Sequence, residues 1–321
     1  MSTSSEKKLT WVAAQIDASW PPSAPERGFG QTISALAEAV KTLEAGSGQL
    51  FGLGAFEAEP AAFQALAAKA WGALEAWRAK LKETHGDEGE DTVVTIAARS
   101  GVVFPGTKSA SVAQAAADAD PREDAALAAL AAAIADGDAV NAALRESDSL
   151  VDDFVARVEI GAPDPERLER FAAHFEALYK RRLPRLYVRL LSTYNGIAVA
   201  QREIDGDDGD DNTAAHVPAR DLSEPSLWPI DVYGDHLGCS DVDLDGIELA
   251  FIFGEIADSG SLVFDAGSDE GAPVFWLPRR FSSEPPTRIA ASIADFITLW
   301  SACHLDVGEV LRRARVPGWG G

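Results

Sequence analysis

Cysteine is nearly missing from the 321 residues: Cys239 and Cys303 are the whole supply. Two thiols cannot build a disulfide framework, which fits a reducing compartment. Long apolar runs are missing too. The longest, Ala125 to Ala135, is too short and too alanine-rich to span a bilayer, so no membrane partner is expected. Met1 to Thr10 carries lysines but no apolar core of signal-peptide length, so the expected location is the cytoplasm. Bases are scarce: 28 Lys and Arg face 51 Asp and Glu, a formal charge of −23 and a pI near 4.5. That field repels phosphate and disfavours a broad electropositive face for nucleic acid.

Catalytic signatures are also lacking. There is no nucleophile elbow, phosphate-cradling glycine loop or Walker-type lysine among the 27 glycines and five histidines. Gly28-Phe29-Gly30 opens a helix but follows no strand and has no third glycine. His174, beside Phe175 on a helix, reads as a structural histidine more readily than a general base. No enzyme activity and no cofactor are expected.

What is present is an ordinary globular composition, 46% hydrophobic and 25% charged. Length alone gives a prior of two domains, at about 150 residues each. The expected division is 1–163, a helical domain of unassigned role, and 164–321, an α+β domain. In the first part, Ile33, Leu36, Val40 and Leu43 keep helical spacing until Gly46. Pro60 opens a second helix running to His85-Gly86 through Phe63, Leu66, Leu74, Trp77 and Leu81. A third carries Leu127, Leu130 and Ile134, and a fourth runs from Val140 through Val151, Phe154 and Val158 to about Gly161. Thr92 to Ala97 and Val102 to Phe104 are β-branched and suggest a small hairpin on this bundle.

In the second part, Asp164-Pro165 is a helix start and Leu183-Pro184 precedes a second amphipathic helix that ends at Asn195-Gly196. The period then shifts towards two. Ile197 to Ala200, Ile247 to Phe253, Ser261 to Phe264 and Pro273 to Leu277 read as strands, the last two flanking a hairpin loop. Ile289, Ile293, Phe296, Ile297 and Trp300 close the chain at helical spacing. The expected class is α+β: an N-terminal helical bundle, then a mainly antiparallel sheet packed with helices.

Several short motifs occur in a particular order. Leu183-Pro184, Tyr187, Leu190, Leu191 and Tyr194-Asn195-Gly196 come first. Phe251-Ile252-Phe253-Gly254, Ser259 to Asp265, Gly271-Ala272-Pro273-Val274-Phe275-Trp276 and Ala291 to Ile297 follow. Together they resemble the SMI1/KNR4 (SUKH superfamily) domain over roughly residues 165–303. Ile293 stands where that family usually has an aromatic, Asp295 where Glu is common, and the segment from Gly196 to Phe251 is longer and more acidic than a minimal domain. The resemblance implies a non-catalytic binding module. Bacterial members are commonly immunity proteins that bind and neutralise a toxin, often a nuclease, and fungal relatives are signalling scaffolds.

Charge bears on the same question. Between Glu203 and Glu270 lie nineteen acids and one base, Arg220, so this window holds −18 of the chain's −23. Asp205, Asp207, Asp208, Asp210 and Asp211 form one dense cluster, and Asp235, Asp241, Asp243 and Asp245 belong to a second. Such a surface suits a basic protein partner, with Trp228 and Tyr233 as aromatic anchors. Two blander readings stand beside it: Asp205 to Asp211 as a solvated loop, and Trp228 as a core residue. Asp241 to Gly246 matches half a calcium loop, yet Ile252 occupies the position of the bidentate Glu. His236, Cys239, Cys303 and His304 make a poor zinc set, so no metal is expected. The alternative function is a scaffold or regulatory protein whose helical half recognises a partner.

Overall fold

The computed structural model describes residues 4–22, 28–46, 58–117, 120–146, 154–160, 162–194, 196–203, 212–216, 247–256, 260–268, 271–278 and 285–319. The class is α+β, with helices first and an antiparallel sheet later. Two compact units form: Met1–Lys108 with Ala173–Lys180, and Ser109–Ala172 with Arg181–Gly321. This division differs in place from the 163/164 boundary expected from the sequence, because the helices after Lys108 belong with the sheet.

The first unit holds α1 (Ser4–Ala18), α2 (Phe29–Glu44) and α3 (Pro60–Arg99). Their apolar stripes meet in one core: Val12 and Ile16 from α1, Ile33, Leu36 and Val40 from α2, and Phe63, Leu74, Trp77 and Leu81 from α3. Trp77 donates its indole N–H to the Ser19 carbonyl at 2.7 Å, which allows a polar handle inside that core. Gly86, at φ 66°, breaks α3 where the sequence predicted a helix end. Helix resumes beyond it, and Glu90 accepts from Arg78 at 2.8 Å and from Lys82 across the break. Those two bases hold the Glu90 carboxyl below the usual carboxylate range.

The hairpin expected at Thr92 to Phe104 is not formed. Thr92 to Ala97 continue α3, and Val93 and Ala97 are buried in the helical core. β-branched residues cost only a few tenths of a kcal/mol in a helix, about 0.7 at most, and core packing outweighs that. Val102 and Phe104 follow the helix and pack into the same core.

The second unit begins with α4 (Ala110–Ala117), α5 (Pro121–Ala135) and α6 (Gly137–Glu146). Asp120 caps α5 by accepting the Arg122 N–H at 2.9 Å, with Pro121 in the first turn. The expected fourth helix stops early. Residues Phe154–Ile160 are instead β1, paired antiparallel with β2 (Ile197–Glu203) along all seven positions from Phe154↔Glu203 to Ile160↔Ile197. Between them lie α7 (Pro165–Tyr179), capped by Asp164 accepting the Arg167 N–H at 3.0 Å, and α8 (Arg185–Thr193). Gly196, at φ 98°, makes the turn into β2.

Five strands complete the sheet: β3 (Asn212–His216), β4 (Ala250–Ile256), β5 (Gly260–Asp265), β6 (Val274–Pro278) and β7 (Thr287–Ala290). They lie side by side in sequence order, every neighbour antiparallel. Tyr187 of α8 packs among Phe251, Phe253 and Phe264, with ring centroids 5.7, 6.3 and 5.1 Å away. Burial pushes its phenol well above the ordinary range. Phe296 of α9 (Ile293–Ala302) meets Phe253 edge-on at 5.4 Å. A last helix, α10 (Val307–Arg313), is capped by the buried Asp306.

Ion pairs tie α5 to its neighbours. Glu123 receives Arg185 and Arg189 of α8, and Arg122 reaches Asp295 of α9 at 2.5 Å. Among the described residues no single helix is long and apolar enough to cross a membrane.

Candidate functional site

The site residues expected from the sequence lie outside the described residues. They are Asp205, Asp207, Asp208, Asp210, Asp211, Trp228, Tyr233, Asp235, Asp241, Asp243 and Asp245. So do the half calcium loop at 241–246 and the His236 and Cys239 of the zinc set. What the structure does describe is the frame that carries them.

The strand registers fix where the acidic stretches are rooted. Glu203 ends β2 opposite Phe154, and Asn212 begins β3 opposite Gln201, so β2 ends and β3 begins at one end of the sheet. His216 ends β3 opposite Glu255, whereas β4 begins at Ala250 opposite Asp265. β3 therefore ends, and β4 begins, towards the other end. The two acidic clusters are rooted at opposite ends of one sheet.

The second root is built around Asp265, the last residue of β5, which is 5% exposed. Its Oδ1 accepts the N–H of Leu249 at 2.8 Å and of Gly267 at 2.9 Å, and its Oδ2 accepts that of Glu248 at 3.2 Å. Three donors match a carboxylate's acceptor capacity well enough for burial. Ala266 returns its own N–H to the Leu249 carbonyl at 2.8 Å. Gly267 is needed here for closeness: a Cβ on it would sit 2.6 Å from that of Glu248. Arg181 completes the corner by pairing with Glu248 and donating to the Gly267 carbonyl at 3.3 Å. An open concavity of about 420 Å³ lies beside it, lined by Ile247, Glu248, Asp265 and Ser268.

This arrangement is an anchor. The Asp265 oxygens are occupied by backbone amides, and Glu248 is engaged by Arg181, so these two acids of the window serve the fold. Sequence reasoning placed Asp265 at a strand end but missed its role; the signal was the Asp-Ala-Gly turn, which lets a carboxylate reach the amide two residues on.

The remaining expectations resolve individually. His174 Nε2 lies 2.6 Å from the carbonyl oxygen of Ala98, which only accepts, so the ring donates there. Cys303 is buried, and burial pushes its thiol up to about 11. Among the described residues no group of three or more His, Cys, Asp or Glu is placed to hold a metal ion.

These features define an α+β chain whose sheet unit carries a rigid anchor at the root of an acidic segment. Compared with protein-family models, with curated proteins and with solved structures, the chain finds no match in any of the three.

Proposed function

We propose that this chain is a non-catalytic, cytoplasmic protein-binding module that captures and neutralises a basic protein, such as a nuclease-type toxin. One observation carries the reading: nineteen acids against one base between Glu203 and Glu270, with the rest of the chain close to charge balance. A charge so confined makes a local field, and local fields accelerate encounter with a cationic partner and disfavour anionic ones. The ordered motifs that resemble SMI1/KNR4 domains support the same class of activity. The Asp265 anchor is compatible with it, since it pins one root of the acidic segment to the sheet.

The test uses the full chain as bait in lysate of the native cell, followed by kinetics with the purified partner. The expected partner is basic, is released by high salt, and loses its toxicity when produced together with this chain. Reversing Asp207, Asp208, Asp210 and Asp211 to Lys slows association about 10-fold or more at low ionic strength. An association rate unchanged by that reversal removes the electrostatic reading.

A further inference from the structure

Residues 87–99 of α3 fold back on residues 60–85, and a single residue joins the two parts. Arg78 and Lys82, before the break, both reach Glu90 after it, Arg78 at 2.6 Å, and Trp71 meets Phe104 edge-on at 5.7 Å. Two glycines permit so tight a return. Gly86, the one residue of α3 outside helical geometry, has φ 66° and ψ −150°, a combination essentially confined to glycine. Gly89 is buried, and a Cβ on it would collide with the Leu81 carbonyl oxygen. A straight helix needs neither glycine, and each weakens a helix relative to alanine.

We infer that α3 is a hinge between two states of this chain. One is the monomer; the other is a dimer in which Gly86 straightens and residues 87–104 of each copy pack on residues 4–85 of the other. The hinge falls between two groups of elements in the first unit. Before it, α1, α2 and residues 60–85 share one core. After it, Asp91 pairs with Lys180 at 2.9 Å and the Ala98 carbonyl accepts from His174 at 2.6 Å, so residues 87–104 travel with Ala173–Lys180. What residues 87–104 supply to the other group can be supplied equally by a second copy: Val93, Ala97, Val102 and Phe104 to the core, Ser100 Oγ at 3.2 Å from that of Ser34, and Glu90 to Arg78 and Lys82. Exchange keeps these contacts and changes only the hinge and the entropy of association.

Two further observations agree. Residues 82–88 read Lys-Glu-Thr-His-Gly-Asp-Glu and are exposed, so the straightened segment bares no apolar side chain to water. Helix lies on both sides of the one interruption, so straightening lets the backbone groups around it pair as in the rest of α3. A one-residue connection also has no slack, the condition that favours exchange between copies. The inference is independent of the proposed function and needs no residue of the acidic segment.

Isotope mixing on the full chain tests it. Chains carrying light and heavy nitrogen are mixed in urea, refolded together at high concentration and treated with a carbodiimide, which condenses Lys82 with Glu90 to an amide. In the monomer both residues belong to one chain. Along a straight helix they stand about 12 Å apart, beyond a zero-length link, so in the exchanged dimer the amide joins two chains. Sedimentation velocity separates the 34.0 kDa monomer from the dimer. The wild-type dimer should yield Lys82–Glu90 peptides bearing both labels. Gly86→Ala and Gly89→Ala each favour the straight helix about fivefold per chain by propensity alone, so each should raise the dimerisation constant about 25-fold or more. Wild type that refolds only to monomer overturns the inference, whether or not the variants fold. So does a dimer whose Lys82–Glu90 peptides all carry a single label, or an alanine variant that folds with no gain in dimer.

Discussion

Asp265 Oδ1 lies 2.8 Å from the backbone nitrogen of Leu249, so the end of β5 holds the residue that precedes β4. That bond, with two others to the same carboxylate, fixes the place where the chain enters β4.

Removal of this carboxylate should be costly. Asp265→Ala leaves the amides of Glu248, Leu249 and Gly267 without their acceptor, and a loss of about 3 kcal/mol is expected. Asp265→Asn keeps one carbonyl oxygen and should cost less. Urea midpoints at constant slope give both numbers. An alanine variant within about 0.5 kcal/mol of wild type would show the anchor to be idle.

Trp300 offers the opposite case. It is fully buried, and its indole nitrogen has no hydrogen-bond partner among the described residues. Its ring stacks on Phe296 at 6.1 Å. Trp300→Phe discards the unsatisfied donor and keeps much of the ring, so the donor's removal offsets part of the lost packing. Trp300→Ala should cost about 3–5 kcal/mol. Thermal or urea unfolding checks this: a Trp300→Phe loss as large as that of Trp300→Ala would contradict the offset expected from removing an unsatisfied donor.

Cys303 gives a pH-dependent signal. Its thiol is raised by burial to about 11 from an ordinary value of 9.0. In a Cys239→Ser background, alkylation of the native protein near pH 8 should run about 100-fold slower than in denaturant, from thiolate fraction alone. The sign of the stability effect follows from the folded state holding the proton more tightly. The contribution is full below pH 9 and is lost as pH rises towards 11. Equal alkylation rates with and without denaturant would contradict the burial of this thiol.

Much of the helical architecture is legible from spacing. Ile33, Leu36, Val40 and Leu43 specify α2 because four side chains at helical intervals can meet α3 only from one face. Helix α1 shows the same interval, with Leu9, Val12, Ala13 and Ile16 turned towards the helical core. β1 is ambiguous in principle. Phe154 and Val158 fit a helical interval, while Phe154, Ala156, Val158 and Ile160 fit a strand's alternation. The decision belongs to β2, some forty residues on, which no local window contains. The acidic composition was plain in the sequence, but its anchoring was not, because Asp265 looks like one carboxylate among many until the amides of residues 248, 249 and 267 converge on it.

The opposed roots at Glu203 and Ala250 set a geometric demand on any visitor. Ala198, His216 and Glu255 lie level across the sheet, so Glu203 and Ala250 stand about ten residue positions apart along the strands, on the order of 33 Å. On the proposed function, a short cationic peptide would engage one root at a time, whereas a folded protein with two separated basic lobes could straddle both. Selectivity for bulk over mere positive charge would then come from the span of the sheet.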